Sequence, residues 1–216
     1  MPRPQSGKQV RLSESQRQEM RDLYRQGLPY EEIVQRFGCS SSNFWLVVRG
    51  IRHEVLQARF DADLSRLATL DSAKLGWVAG IVDGEGYIGV VANKNRGRTS
   101  LMARVDISST TRVMQDTLRS VLGFGLVYEK KPRLHRPNDR IQFCWAIWSA
   151  SCVGSFLKAI EPHLIVKRQV AEVVRKFCES RVRNDLQPYT TAELAVLAKV
   201  RKLNARGTQG FISAAP

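Results

Sequence analysis

The chain has 216 residues, of which 43% are hydrophobic, and 34 basic residues against 20 acidic residues give a formal net charge of +14. This length and hydrophobic content exclude a disordered tail, because such a chain can bury a core. The basic excess favours a polyanionic partner, and nucleic acid is the first candidate. An anionic membrane surface, or no polyanion at all, remains the alternative.

Cysteine spacing and hydropathy indicate where the protein works. Cys39, Cys144, Cys152 and Cys178 form no CxxC pair and have no metal-ligand spacing, which is typical of reduced, intracellular thiols. No apolar run approaches the roughly 20 residues of a membrane span, and the N-terminus lacks the apolar centre of a signal peptide. We expect a soluble intracellular protein that does not enter a membrane.

Residues 1–50 are predicted to form a small helical module. Helical spacing predicts a first helix over 14–26, a second from Pro29 to Gly38 and a third after the serines at 40–42. The segment LYRQGLPYEEIVQRFGCSSSNFWLVVRG resembles the helix-turn-helix modules that accompany many intron-encoded and phage endonucleases. The resemblance implies that residues 40–43, including Ser40 and Asn43, and Arg49 face DNA. A three-helix packing accessory is the alternative.

The remaining chain divides into three segments. Residues 51–73 carry mixed charges and irregularly spaced leucines, and they are predicted to be a partly helical linker. Residues 74–182 contain the predicted catalytic core. Residues 183–216 hold a helix over 191–203 and a mobile tail.

The stretch KLGWVAGIVDGEGYIG, residues 74–89, is predicted to be an apolar helix that ends in two carboxylates, Asp83 and Glu85. Two anions at a helix C-terminus are unfavourable unless hydrogen-bond donors or a cation lie opposite them. Small residues at Gly76, Ala79 and Gly80 permit close approach of another backbone. The pattern predicts a helix that pairs with a copy of itself and presents carboxylates to a divalent metal.

Downstream residues predict an α+β domain. Period-two alternation predicts strands over 87–92, 100–109, 126–131 and 140–148, and apolar periodicity predicts helices over 111–122, 150–160 and 166–181. In the last strand, Ile141, Phe143, Trp145 and Ile147 are expected to face the helices.

Val78 to Gly86, VAGIVDGEG, resembles the signature of the LAGLIDADG homing endonucleases, and SSTTRVMQDTLRSVLGFG and IEPHLIVKRQVAEVV resemble later parts of the same family. The resemblance covers about half of the chain. It implies an α-β-β-α-β-β-α saddle whose four-stranded antiparallel sheet lies along the DNA major groove. It also implies that TAELAVLAKVRKLNARG is the C-terminal helix of many single-motif members, which lies against the core.

The resemblance assigns roles to four site residues. Glu85 matches the acid that binds Mg²⁺, and Asp83 matches the acid that caps the partner helix and supports the metal site. Lys167 matches a lysine near the scissile phosphate, and its alternative is a solvated lysine at a helix start. Ser109 stands where the family often has a glutamine that orients water.

Only one signature is present in the sequence, so the resemblance implies a homodimer that binds a near-palindromic duplex of DNA. Its expected interface comprises Gly76, Ala79, Gly80 and Val82.

Two sets of side chains are predicted to bind DNA. The exposed strand face, which offers donors and acceptors for base edges, comprises Asn93, Asn95, Arg104, Asp106, Ser108, Tyr128, Lys130 and Gln142. The basic loops, where phosphate contact is expected, contribute Arg96, Arg98, Lys131, Arg133, Arg136 and Arg140.

The resemblance therefore implies a site-specific, Mg²⁺-dependent endonuclease that cuts double-stranded DNA. Two alternatives stay open at this point: a transcription regulator of the same fold that binds DNA without cutting it, and an RNA maturase that helps an intron fold. The presence of Asp83, Glu85 and Lys167 together favours the nuclease.

Overall fold

The computed structural model describes residues 11–95, 98–131, 140–184 and 187–205. The chain forms two compact units, Met1–Ala58 and Arg59–Pro216. The division falls within one helix, α4 (Arg52–Leu67), which occupies most of the segment predicted to be a partly helical linker.

The first unit contains the three predicted helices, α1 (Glu14–Arg25), α2 (Tyr30–Phe37) and α3 (Ser41–Val48). The Ser13 side chain begins α1 in a capping box with Gln16, and Gly38 ends α2 in the left-handed conformation, with φ of 58°. The short connection to α3 follows directly. These helices enclose their own core, which includes Met20, Ile33, Phe44, Val47 and Val48.

After the end of α4, the second unit continues with α5 (Ser72–Glu85), which the Asp71 side chain caps by accepting the Lys74 amide at 2.8 Å. The helix passes directly into the first strand at Gly86. A Cβ atom at Gly86 would lie 2.6 Å from the Val82 carbonyl oxygen, so only glycine fits this junction. As a result, Glu85 lies where helix and sheet meet.

The strands of the second unit form one antiparallel sheet. These are β1 (Gly86–Asn95), β2 (Arg98–Ser109), β3 (Leu126–Lys130) and β4 (Gln142–Ile147), in the spatial order β1-β2-β4-β3. The connecting and following helices are α6 (Arg112–Leu122), α7 (Ala150–Ile160), the 3₁₀ turn Glu161–His163, α8 (Arg168–Arg183) and α9 (Thr191–Asn204). This arrangement confirms the predicted α+β class and the α-β-β-α-β-β-α order.

The two faces of the sheet have different chemistry. One face carries buried apolar residues that belong to the main core together with residues of α5, α7 and α8, as Ile88, Val105, Ile107 and Trp145 illustrate. The Trp145 indole donates to the Phe124 carbonyl at 3.0 Å and passes so close to Gly125 that a Cβ there would lie 2.1 Å away. Helices of the second unit cover this face, whereas the opposite face carries polar side chains such as Arg104 and Ser108.

Several predicted boundaries were wrong, and three of them are explained by specific contacts or pairings. The fourth strand begins at Gln142 rather than at 140, so Ile141 lies outside it and is 48% exposed instead of facing the core. The first strand continues to Asn95 because it pairs with β2 along its whole length. Helix α8 begins at Arg168 rather than at 166, because the backbone amides of residues 165–167 bind the Asp83 carboxylate instead. Among the described helices, none combines the length and hydrophobicity that crossing a membrane requires.

Candidate functional site

A cavity of about 350 Å³ opens on the polar face of the sheet, beside the end of α5. Its lining residues come from α5 and all four strands: Glu85, Tyr87, Val91, Arg104, Asp106, Ser108, Lys130 and Cys144. The Glu85 side chain is exposed, and in the described part of the chain it forms no hydrogen bond or salt bridge. Its carboxylate is therefore free to bind a cation.

The Asp83 carboxylate has a different environment, because it accepts three backbone amides. Oδ2 accepts from Ile165 at 2.7 Å and from Val166 at 3.2 Å, and Oδ1 accepts from Lys167 at 2.8 Å. Asp83 thus caps the segment that leads into α8 of its own chain, whereas the resemblance implied that it caps the partner's helix. This contact joins elements that are more than 80 residues apart in the sequence.

Lys167 completes the same contact from the other side. Its Nζ donates to the carbonyl oxygens of Val82 at 2.8 Å and Asp83 at 2.5 Å, at the C-terminus of α5. A cation is favourable at this position because the helix end carries partial negative charge. Partial burial lowers the pKa of Lys167, although the nearby carboxylates of Asp83 and Glu85 oppose the shift. Lys167 is therefore a bound lysine and not a solvated one.

The donor set at the end of α5 fits Mg²⁺. Mg²⁺ prefers oxygen ligands and is commonly held by one or two carboxylates, with phosphate oxygens and water completing its shell. Glu85 offers a free carboxylate, and Asp83 Oδ1 accepts a single hydrogen bond, which leaves it a second lone pair. Within residues 11–95, 98–131, 140–184 and 187–205, no group of three acidic, histidine or cysteine residues forms a complete metal site.

Ser109 does not reach the cavity. Its hydroxyl accepts the backbone amide of Thr111 at 3.0 Å, and across the sheet it lies opposite Phe143, whereas the neighbouring Ser108 lines the cavity. The alternation of side chains along a strand explains the correction, since residues 108 and 109 face opposite sides.

The strand pairing places most of the predicted DNA-binding residues on the polar face. Arg104 lies opposite Gly89, Ser108 lies opposite Cys144, and Cys144 in turn lies opposite Tyr128. Cross-strand partners share a face of the sheet. The set on this face comprises Asn93, Arg104, Asp106, Ser108, Tyr128, Lys130 and Gln142. Burial and the Cys144 thiol raise the pKa of Tyr128 to about 12, so its hydroxyl keeps its proton at neutral pH.

Asp106 is an exception to the predicted exposure. It is only 7% exposed, because it forms an ion pair with Arg104 beneath the surface of this face. Of the predicted loop residues, Lys131 and Arg140 are exposed. The side chains of Asn95 and Arg98, and residues Arg96, Arg133 and Arg136, lie outside the described part of the chain.

The outer side of α5 carries small residues and one aromatic ring. Gly80 and Gly84 are exposed and Gly76 is half-buried, and a Cβ atom added at any of them would meet nothing within 4 Å. Trp77, which is 41% exposed, lies beside them in the sequence. Ala79 and Val82, predicted to lie at a helix-helix interface, are instead fully buried in the core of their own chain. The glycine side of α5 therefore has open space beside it in the single chain.

Comparison with solved structures identifies the architecture. The chain resembles the archaeal intron-encoded homing endonuclease I-Vdi141I in complex with DNA, with a TM-score of 0.52, 19% identity, and coverage of 62% of this chain and 86% of that one. Other matches include the homing endonuclease I-TnaI, at a TM-score of 0.46, 20% identity and coverage of 61% and 88%. A third is the LAGLIDADG homing endonuclease I-GzeII with its DNA target, at 0.45, 14% identity and coverage of 61% and 44%. The chain has the LAGLIDADG homing endonuclease fold. No protein-family model matches the sequence, and no curated protein matches it significantly.

Three residues of the LAGLIDADG cavity were not predicted from the sequence: Tyr87, Val91 and Cys144. Tyr87 and Val91 follow Glu85 at intervals of two and six residues, so the alternation of β1 was a signal that could have placed them beside the carboxylate. Cys144 gave no such signal, because a cysteine in a strand is ordinarily predicted to be a buried residue of the core.

In the first unit, the predicted groove-facing residues have different environments. The Ser40 hydroxyl accepts the Asn43 amide at 3.2 Å and so caps α3. Ser41, Ser42 and Arg49 are exposed, whereas Asn43 is half-buried. The exposed residues of this segment are thus Ser41 and Ser42 at the start of α3, Leu46 within it, and Arg49 directly after its end.

Proposed function

We propose that this chain is a Mg²⁺-dependent endonuclease that cuts double-stranded DNA as a homodimer. The observation that carries the proposal is the free Glu85 carboxylate at the end of α5, beside a cavity that opens onto the polar sheet face. The LAGLIDADG fold and the net charge of +14 support the same conclusion.

Each residue of the proposed site has a distinct task. Glu85 would hold Mg²⁺, with Asp83 Oδ1 as a second candidate oxygen ligand. When bound, the metal supplies charge neutralisation on the phosphate and an activated water. Asp83 fixes the end of α5 through its three amide contacts, which orients Glu85. The Lys167 ammonium donates two of its hydrogens to helix carbonyls. Its third hydrogen can donate to a phosphate oxygen.

The same proposal assigns the DNA contacts. The polar face of the sheet reads base edges in the major groove, and the basic loops contact phosphates. Two copies pair along the glycine side of α5 through Gly76, Gly80 and Gly84, which brings two Glu85 carboxylates to adjacent phosphates of the two strands. Their twofold symmetry predicts a near-palindromic site.

The first unit is proposed to be a helix-turn-helix module that adds contacts outside the central site. The capped start of α3, the tight turn at Gly38 and the exposed Arg49 support this role. Arg49→Ala is expected to weaken binding without changing the cleavage position.

The test is incubation of the full chain with a randomised duplex library and Mg²⁺, followed by sequencing of cut ends. Glu85→Gln should reduce cleavage at least about 100-fold, by analogy with the loss of other metal-site groups. Binding in Ca²⁺ should change little. Glu172→Gln, which alters an exposed acid paired with Lys176 on α8, is the matched control and should cut normally.

Other outcomes identify the alternatives. Selective binding with uncut DNA in Mg²⁺ would indicate a regulator, and enhanced splicing of an intron RNA without DNA cleavage would indicate a maturase. Normal cutting by the Glu85→Gln variant would refute the role of that carboxylate.

A further inference from the structure

Arg104 and Asp106 form an ion pair on β2 in the middle of the polar face. Their side chains point to the same side because they are two residues apart in one strand. The Arg104 side chain is 33% exposed and the Asp106 side chain 10% exposed, so the arginine covers the acid. Asp106 is thus the buried member of the pair, and Arg104 is the member that solvent can reach.

The hydrogen bonding leaves one edge of the guanidinium available. Arg104 Nε donates to Asp106 Oδ2. In the described part of the chain, Nη1 and Nη2 of Arg104 form no hydrogen bond. These two nitrogens form the end of the planar fork that matches a pair of acceptors. Arg104 is thus held by its inner edge, with its outer edge free.

The acid is fixed more firmly than a surface partner would be. Asp106 is 7% exposed, and its Oδ1 is buried with no hydrogen-bond partner among the described residues. Burying a carboxylate in this way costs free energy, and apolar residues would often serve stability as well or better. Stability alone therefore does not account for the pair. An arginine held in one orientation loses less conformational entropy when it binds a ligand. Orientation of Arg104 for a ligand therefore explains the ion pair.

The position of the free edge selects its ligand. It lies on the sheet face that the proposed function assigns to the major groove, beside Tyr87 and Ser108 in the lining of the cavity. In that groove, guanine alone presents two acceptors, O6 and N7, to an arginine fork. A phosphate is the other planar-fork ligand, but phosphates line the rim of a groove and not its floor.

Resting on the proposed DNA binding, we propose that Arg104, oriented by Asp106, reads one guanine in each half of the DNA target. Asp106 is the positioning residue and does not touch the base. The buried carboxylate of Asp106 orients the guanidinium of Arg104, and the oriented guanidinium selects guanine over the other bases.

The experiment uses the full chain in Ca²⁺ and two duplex libraries, one randomised and one built on the best-bound sequence. Wild type should prefer guanine over other bases at one position per half-site by about 5- to 150-fold, the range of a bidentate contact. Replacing that guanine with 7-deazaguanine, which lacks N7, should weaken wild-type binding by a similar factor.

The variants separate base reading from folding. Arg104→Ala should lose both the preference at that position and the sensitivity to 7-deazaguanine, while preferences elsewhere persist. Arg104→Lys should lose most of the preference, because an ammonium has no fork. Asp106→Asn keeps the shape of the side chain and should show an intermediate preference. Arg112→Ala, which removes an exposed arginine paired with Asp116 on α6, is the control and should match wild type.

Two results would overturn the inference while leaving DNA binding intact. One is an unchanged base preference in a folded Arg104→Ala protein. The other is uniform weakening on all sequences with a salt dependence reduced by about one charge, which would identify a phosphate contact. Failure of the wild-type chain to select any duplex would instead reject the proposed function, and this inference with it.

Discussion

Asp83 and Lys167 bind each other in both directions: the carboxylate of Asp83 accepts the backbone amide of Lys167, and the ammonium of Lys167 donates to the backbone carbonyl of Asp83. The charges match the two helix ends that meet here, since an anion is favourable ahead of α8 and a cation is favourable at the end of α5. The Asp83 side chain binds backbone amides ahead of α8, and the Lys167 side chain binds backbone carbonyls at the end of α5. Groups at these helix ends have no hydrogen-bond partner within their own helix. This contact holds the end of the signature helix in place.

Asp83→Asn should destabilise the protein. The amide oxygen of asparagine is a weaker acceptor than a carboxylate, and three backbone amides depend on this side chain. We expect the free energy of unfolding to fall by about 1–3 kcal/mol, measured by urea denaturation. Asp71→Asn, which changes an exposed cap that accepts one backbone amide, should cost less. Equal losses in the two variants would contradict the central role of Asp83.

Lys167 should make stability depend on pH in the alkaline range. Burial lowers the pKa of Lys167 in the folded state, so the folded protein binds fewer protons than the unfolded chain between that pKa and the ordinary lysine value of about 10.4. The free energy of unfolding must therefore rise with pH across this window. Lys167→Met should lack this rise. Urea denaturation at a series of pH values measures it, and parallel curves for the two proteins would exclude the effect.

Gly80→Leu should separate folding from self-association. A Cβ atom added at Gly80 meets nothing within 4 Å in the single chain, and leucine favours a helix by up to about 1 kcal/mol over glycine. The folded monomer should persist, whereas a paired helix would be pushed away. We expect sedimentation to show a dimer for wild type and a monomer for the variant. Ser120→Leu, at an exposed position of α6, should remain dimeric.

Gly89→Ala should disturb the cavity more than the fold. A Cβ atom there would lie 2.2 Å from the Tyr87 hydroxyl, but Tyr87 is exposed enough for its ring to swing outward. We expect the free energy of unfolding to change by less than about 1 kcal/mol and cleavage to fall, because the displaced ring lies beside Glu85.

The matched variant for this prediction is Gly154→Ala in the packed interior. There the new Cβ would lie 2.9 Å from Phe60 and 3.0 Å from the Cys178 Cβ. Overpacking of this kind typically costs about 1–3 kcal/mol. If the two variants proved equally destabilising, the Tyr87 ring would have to be as confined as the core.

Local patterns predicted most of the fold. Capping residues, glycine stops and period-two alternation predicted the helices and strands because these signals act within a few residues. The boundary at Arg168 was missed because its cause, Asp83, is 85 residues away. Long-range hydrogen bonds leave no local pattern in a single sequence.

The candidate site was predicted less completely. Helix α5 is apolar on most sides, so its pattern did not distinguish the buried Ala79 and Val82 from the exposed Gly80 and Gly84. Alternation correctly put Asp106 on the polar face, but its burial depends on Arg104 folding over it. Ser109 was assigned by resemblance, and a shift of one residue along β2 moved the cavity hydroxyl to Ser108. The errors at α5 and at Ser109 placed a side chain on the wrong face, whereas Asp106 had the correct face but an unpredicted neighbour.

Two side chains of the C-terminal segment bind backbone groups at the edges of the sheet. β4 pairs with β2 only over 105–109, so the earlier residues of β2 have β1 as a neighbour on one edge and no strand on the other edge in the described sheet. The Tyr189 hydroxyl accepts the Leu101 amide at 2.8 Å, and the Asn204 amide donates to the Ile88 carbonyl on β1 at 2.9 Å. Open strand edges recruit strands from other molecules. Two side chains from outside the sheet thus occupy positions where a foreign strand would add, and removing them would favour cross-β assembly.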